Sequence, residues 1–502
     1  MRNSQRRLTR PPAHDLDIRP FGRRHSRVTL PRLWAFLAVA LPTLGALIAG
    51  LSSVDLAYHL RAGTEILDTG AIPTVDSWTF TSAGAPWIDQ QWGAQVILAA
   101  VYRLGGWTAL VLFRALLVAI VFVCLLEIGR RRGLGMRRSA WLALAAFIVS
   151  AAALGLRPQL LGMTLLALVL LLVTDRRAHP RRLWAIPLVV LVWANIHGSF
   201  FLGPLVLGLA WLEDLNDRVE RPHRPVIVAG VSAALACVTP FGPAVWGYAV
   251  GLTTNPDVTR RITEWQPTSV RDVSGLLFFV SALAVVVLIA RRGRPTPWPR
   301  LAWLGTFFLI GAYALRGVAW WPLGAIGAIA GVIVEGPPGD DERTELGRAP
   351  VIRRLNMAVA AALVLAGVLL LPVWRPLDQD LGAPRGVVSS APAGITAALR
   401  ELARPGDRVF NPQPWGSWFE FALVDLPVAI DSRIEFFPSE IWDAYENVTR
   451  GVDGWATQLD TWGVTIAVTM ARDTALADRL SAAGWRSVYA DADGSIMLAP
   501  NR

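Results

Sequence analysis

The sequence predicts an α-helical polytopic membrane protein with about eleven transmembrane helices and a C-terminal extracytoplasmic α/β domain. Three observations predict it. Of the 502 residues 53% are hydrophobic and only 17% charged, with a mean hydropathy of +0.43, too little charge for the surface of a soluble globule this size. Long apolar runs recur, separated by short arginine-rich segments. From about residue 384 the composition changes to ordinary charge with alternating strand and helix patterns.

Residues 1–32 form a basic tail with nine arginines, expected in the cytoplasm. Arg23-Arg24 has the look of a twin-arginine export signal, but the many spans that follow favour a retained first helix. Spans are placed at 33–51, 106–128, 139–155, 160–174, 183–197, 198–213, 226–245, 273–290, 301–315, 318–334 and 355–373, so 33–373 is a multi-pass domain. Loop charge orients it. With the N-terminus inside, the loops 129–138, 175–182, 214–225, 291–300 and 335–354 are cytoplasmic, and each is rich in arginine, whereas the outer loops are poorer. An odd number of spans then places 374–502 outside, in a plasma-membrane protein. The net charge of +10 comes entirely from arginine, as the chain has no lysine. Because these arginines lie between apolar runs rather than on one amphipathic face, the charge is read as topological, and nucleic acid is not an expected partner. Cys124 and Cys237 fall inside spans and read as small apolar residues.

The first outer loop, 52–105, carries two amphipathic stretches, about 56–67 and 92–104, read as helices along the membrane surface with Trp87, Trp92 and Trp107 at interfacial depth. A second long outer segment, 240–272, also reads as interfacial. In the soluble domain, 384–502, "RVFN", "PVAID", "TIAVTM", "RSVYAD" and "SIMLAP" read as strands, and 391–403, 438–460 and 473–483 as helices. Repeats, a P-loop, a dinucleotide fingerprint and zinc-ligand spacing are all missing from the sequence.

A few polar residues stand out against this apolar chain. Asp55 follows the first span; an acid at the mouth of a helix bundle is costly unless paired or used, the alternative being a solvated acid that ends the helix. Arg157 and Arg316 lie at outer turns against the positive-inside trend, either snorkelling to headgroups or gripping an anion. His197 sits near Asn195 at an outer turn, and His59 one turn beyond Asp55. Asp76 and Asp89 share the first loop, as turn residues or as further carboxylates. Glu264 and Trp265 read as an ordinary surface loop. In the tail, Asn411, Trp415, Trp418, Asp431 and Arg433 lie near strand ends, where ligands bind in α/β sheets, but the preferred reading is an Asp431–Arg433 structural pair over a carbohydrate- or acceptor-binding role. Asn447 opens an "NVT" glycosylation pattern too short to carry weight.

The succession of an acid after the first helix, "HLRAG", "IPTVDSWTFT" and a Trp-acid-Trp stretch, then "GLRPQLLGM", "WANIHGSFFLGP", "NPQPWGSWFEF" and "AIDSR", resembles bacterial membrane glycosyltransferases of the GT-C superfamily, which use polyprenyl-phosphate sugars. The resemblance implies a GT-C-like fold and a sugar transfer at the outer membrane face. Partners would be the bilayer, a polyprenyl-phosphate sugar donor, and a glycan, lipid or protein acceptor. In that superfamily an acid of the first outer loop is the catalytic base, and Asp55 is the matching position: a placed carboxylate takes the proton of the attacking hydroxyl. Residue 56 is Leu, so the paired acid of some relatives is missing, and Asp76 or Asp89 would have to supply a second carboxylate. Arg157 and Arg316 would neutralise the departing phosphate, with His59 and His197 as substrate contacts. No cofactor is required, though Asp55 with Asp76 or Asp89 leaves room for a divalent metal. Rival readings are a polymerase or ligase of lipid-linked glycans, and a non-enzymatic transporter or envelope assembly protein; a transporter is expected to show repeats.

Overall fold

The computed structural model describes residues 29–254, 256–334 and 350–502. Most of the basic N-terminal tail, including Arg23-Arg24, and most of loop 335–354, with Arg343 and Arg348, lie outside the described residues.

The helical part starts with α1 (Leu30–Ile48), α2 (Ser53–Thr69), α3 (Trp92–Arg131), α4 (Met136–Ser150), α5 (Pro158–Thr174), α6 (Ile186–Ala194), α7 (Leu202–Asn216) and α8 (Arg224–Leu235). It continues through α9 (Ala244–Thr254), α10 (Pro256–Arg261), α11 (Val273–Arg291), α12 (Trp298–Tyr313), α13 (Trp320–Val334) and α14 (Pro350–Leu369). Every span expected from the sequence falls on a helix, but several are shorter than the hydrophobic runs that mark them. Among the described residues six stretches are long and apolar enough to cross a membrane, and α5, α8 and residues 354–369 of α14 are shorter apolar helices. The run 226–245 is helical only to Leu235, the chain then turning through 236–243 into α9. Many bundle helices present large apolar side chains outward; on α11, Val273, Val280, Leu283 and Val286 are each more than half exposed. Such a surface suits lipid rather than water.

The arginine-rich turns gather at one end of the bundle and are laced by acids: Arg176 binds Glu213 at 2.8 Å and Asp214 at 2.9 Å, and Arg177 binds Asp217 at 2.8 Å. The first loop and the tail cover the other end. There α3 holds both the amphipathic stretch 92–104 and the span 106–128, joined at a glycine pair. Gly106 has φ 58° and ψ −149°, a conformation a side chain opposes, so the glycine permits the bend. Below that bend the buried Arg114 donates to the carbonyls of Ala46, Ala49 and Gly50, closing the C-terminus of α1 just before α2 begins.

The helix α2 does not lie free on a membrane surface. Its face of Leu56, Ala57, Leu60 and Ala62 is fully buried. It is so close to α3 that a Cβ on Gly63 would sit 2.0 Å from the Gln95 carbonyl oxygen. Trp87 and Trp107 are likewise buried rather than interfacial, because the tail covers them: Trp107 packs on Trp418 and Phe421.

Two-residue strands knit the tail to the bundle. β1 (Leu51–Ser52) pairs in parallel with residues 388–389 of the tail; β2 (Leu377–Asp378) and β3 (Ala383–Pro384) form a small hairpin before that segment, β4 (Val388–Ser389). Next come α15 (Ala393–Leu402), β5 (Val409–Phe410), α16 (Gln413–Ala422), α17 (Ser439–Arg450) and α18 (Trp455–Thr461). The chain ends with β6 (Ile466–Met470), α19 (Thr474–Ala482), β7 (Arg486–Ala490) and β8 (Gly494–Leu498). The sheet order is β5-β6-β8-β7, with β5 and β6 parallel and the other pairs antiparallel. "PVAID" makes only single bridges, from Val428 to Val409 on one side and to Thr79 of the first loop on the other. The first loop thus occupies the sheet edge, which leaves that edge covered. The expected helix 438–460 is broken into α17 and α18 at Gly451, where φ is 68°. Helix α16, in "NPQPWGSWFEF", was not anticipated; its aromatic face packs onto α2 and α3.

Candidate active site

At the covered end of the bundle, where the first loop, the outer turns and the tail meet, lies a cavity of about 730 Å³. Asp55 enters it from the first turn of α2, where the helix N-terminus favours a negative charge. Arg157 enters from the residue before Pro158, held extended at φ −137° and ψ 164° by the following proline. Its guanidinium joins two acids: Nε lies 3.1 Å from Asp55 Oδ2, and Nη1 donates to Glu264 Oε1 at 2.7 Å. Asp55 is the main cause of the raised Arg157 pKa, working against burial with help from Glu264. Burial would push the Glu264 carboxyl up, but Arg316 and Arg157 hold it below the ordinary glutamate value. Arg316 stacks on Trp265, 5.5 Å from the ring centroid, and also lines the cavity. Glu264 and Trp265, which read from the sequence as an ordinary surface loop, are therefore part of this cluster.

Both expected histidines line the same cavity. His59 is buried beside Tyr58, with ring centroids 4.0 Å apart. Burial, reinforced by Arg157 and Arg316, lowers its pKa to about 3, so it is a neutral imidazole. His197 caps the 3-10 turn Gly198–Phe201; its Nδ1 accepts the Ser199 N–H at 3.1 Å. Five of the seven residues singled out in the sequence are thus brought together: Asp55, His59, Arg157, His197 and Arg316.

Asp76 and Asp89 do not line this cavity. Asp76 is 2% exposed; it accepts from Thr79 and binds Arg433 Nη2 at 2.6 Å. Asp89 is 3% exposed and accepts from Gln95 Nε2 at 2.7 Å; burial pushes its carboxyl up to about 7. Both are thus engaged outside the cavity that Asp55 enters, and among the described residues no group of three or more His, Cys, Asp or Glu side chains is placed to hold a metal ion.

The Asp431–Arg433 pair exists, and it is larger than expected. Arg433 Nε donates to Asp431 Oδ2 at 2.8 Å, and Nη2 reaches both Asp431 and Asp76. The guanidinium lies 4.6 Å from the ring centroids of Trp78 and Trp87 and 4.8 Å from that of Phe436. This cage fastens the first loop to the segment carrying Ser432, Ile434 and Glu435, three cavity residues from the tail. Glu435 was missed in the sequence. Burial raises its pKa, and the Tyr248 hydroxyl donates to it at 3.4 Å. Its only sequence signal is the acid after "AIDSRI", which the Asp431–Arg433 pair overshadows.

A second, smaller cavity of about 260 Å³ adjoins the first and shares Arg157, Glu264 and Arg316 with it. Its remaining wall is largely small and apolar, including Val149, Ala152, Ala153, Leu315 and Val318. Cationic groups therefore stand where two cavities with largely apolar walls meet, an arrangement suited to an amphiphile with an anionic head.

No family model and no curated protein sequence matches the chain. Solved structures do match in fold. The oligosaccharyltransferase AglB of Archaeoglobus fulgidus, solved with an inhibitory peptide and a dolichol-phosphate, aligns with a TM-score of 0.55 at 12% identity over 87% of this chain and 69% of its own. The Archaeoglobus fulgidus enzyme tethered to an acceptor peptide aligns with a TM-score of 0.58 at 12% identity over the same shares. ArnT of Cupriavidus metallidurans in the apo state aligns with a TM-score of 0.51 at 16% identity over 93% of this chain and 97% of its own. The architecture of this chain, a bundle of apolar helices capped by a C-terminal α/β domain, is accordingly the fold of these structures.

Proposed function

We propose that the protein is a membrane glycosyltransferase that moves a sugar from a polyprenyl-phosphate carrier to an acceptor at the outer membrane face. The observation that carries this reading is the convergence of Asp55, Arg157 and Arg316 in the main cavity, at the side where Arg157 and Arg316 also line the smaller cavity. The fold likeness to an oligosaccharyltransferase solved with a dolichol-phosphate supports the class of donor, although fold alone does not assign chemistry. The arginine-rich turns at the opposite end support a cytoplasmic N-terminus and an outward-facing cavity.

In this mechanism the carboxylate of Asp55 takes the proton of an acceptor hydroxyl as its oxygen attacks the anomeric carbon. The bond from that carbon to the phosphate oxygen breaks, and the polyprenyl phosphate leaves with the electron pair. Arg157 and Arg316 neutralise the negative charge that develops there. Of the cavity acids Glu264 is held by Arg157 and Glu435 is driven by burial toward its neutral form, which leaves Asp55 as the base; the reaction is then one displacement with inversion, and retained configuration in the product would exclude it. The ion pair with Arg157 orients Asp55.

The test compares wild type with Asp55→Asn in lipid, on a panel of polyprenyl-phosphate sugars, following release of the lipid phosphate. Loss of turnover in a folded variant supports the reading, and equal turnover removes Asp55 from the chemistry. The likeness to oligosaccharyltransferases also favours a second reading, transfer of a whole lipid-linked glycan. Turnover with a lipid diphosphate glycan and none with monophosphate sugars would select it.

A further inference from the structure

The wall of the main cavity holds buried polar atoms that the mechanism does not use. Gln90 is 2% exposed. Its Nε2 donates to the Ala194 carbonyl at 2.7 Å, and because a carbonyl only accepts, this bond settles which end of the amide is which. Oε1 is left as a buried acceptor with no partner among the described residues. His59 is equally buried, and its Nδ1 is also without a partner. His197 supplies the complementary sign. Its Nδ1 accepts from Ser199 N–H, so in the neutral ring the proton sits on Nε2, which is a donor. Gln90 and the His197 turn are neighbours: a Cβ on Gly198 would lie 3.8 Å from Gln90 Oε1. An orphaned buried acceptor costs free energy unless something binds it.

We infer that Gln90, His59 and His197 form the subsite for the ring hydroxyls of the transferred sugar, and that this sugar is uncharged. The inference rests on the glycosyltransferase reading and deepens it. Hydroxyls both donate and accept, as this wall requires: an O–H for Gln90 Oε1 and a lone pair for His197 Nε2–H. A cationic amino sugar would need a free carboxylate, but Asp55 is already paired with Arg157, and burial drives the Glu435 carboxyl toward its neutral form. An anionic sugar would compete for the arginines that the phosphate needs.

The test uses the full-length protein in lipid nanodiscs and measures binding of bare polyprenyl phosphate and of polyprenyl phosphates carrying a neutral hexose, an amino sugar or a uronic acid. Wild type is expected to bind the hexose carrier about tenfold more tightly than the bare carrier, the worth of one or two hydrogen bonds. Gln90→Met and His59→Phe are each expected to lose most of that increment while binding the bare carrier unchanged, which also shows that they fold. Unchanged hexose binding in both variants, or an equal loss on bare and sugar-bearing carriers, overturns the subsite. Preference for the amino or uronic carrier overturns the neutral class. No binding of bare polyprenyl phosphate to wild type overturns the glycosyltransferase reading instead.

Discussion

Replacing Arg433 by Met tests the cage that joins the first loop to the tail. The side chain is 1% exposed and faces Asp76 and Asp431, which are both fully buried. Removing the cation leaves two carboxylates in a dry site without their counter-ion, at a cost of about 3–5 kcal/mol. Loss of the desolvated contacts with Trp78, Trp87 and Phe436 adds about 2 kcal/mol. The apolar packing that Met retains returns roughly 1–2 kcal/mol, so the net loss is about 3–6 kcal/mol, a large part of an ordinary protein's stability. The assay is equilibrium or thermal unfolding of the purified protein in detergent. The variant Arg433→Met with Asp76→Asn and Asp431→Asn removes the stranded charges and should recover at least half of the loss. A single variant that unfolds with wild type, or a neutralised variant no better than the single one, would refute the reasoning. Ser432 and Glu435 flank Arg433, so the single variant should also weaken carrier binding.

Asp89 should make stability depend on pH. Its folded pKa of about 7 lies above the ordinary 3.8, so the folded state holds a proton that the unfolded state releases. The stabilisation is complete below about pH 4 and is lost as pH rises through 7, about 4 kcal/mol in all; Asp89→Asn should flatten the unfolding-temperature profile between these limits. His59 has the opposite sign: its pKa of about 3 means that its contribution is present above pH 6.5 and falls away in acid, and His59→Phe should remove that acid-side loss. Arg157→Lys keeps the charge but loses the fork that joins Asp55 to Glu264, so the KM for the lipid donor should rise about tenfold or more; an unchanged KM would mean that the fork does not hold the donor. Glu264→Gln removes the carboxylate that occupies Arg157 Nη1 and should tighten binding of bare polyprenyl phosphate by a few fold, an effect that titration would show absent if Glu264 serves the phosphate rather than competing with it.

The hydrophobic runs were legible because each bundle helix must present apolar side chains all round, and no distant partner changes that requirement. The resemblance rested on the order of the motifs and pointed to Asp55, while Arg157 and Arg316 stood out because arginines at those turns run against the positive-inside trend. Helix lengths were less legible, because turns such as Gly198–Phe201 interrupt runs that remain hydrophobic throughout. Asp76 shows the limit most clearly. In the sequence it is an acid of the same loop as Asp55, and nothing local separates them. Its fate was decided by Arg433, 357 residues away, because a buried cation takes the nearest carboxylates that chain packing delivers. The same holds for Glu264, which read as part of an ordinary surface loop, and for Glu435, which the sequence did not single out, until the segment 240–272 and the tail closed over the bundle. The sequence by itself determined which segments are apolar enough to suit a membrane and which residue types were available for chemistry, since both follow from local composition. The tertiary structure alone decided which of those residues share one cavity, because ion pairing and desolvation depend on distance in space and not along the chain.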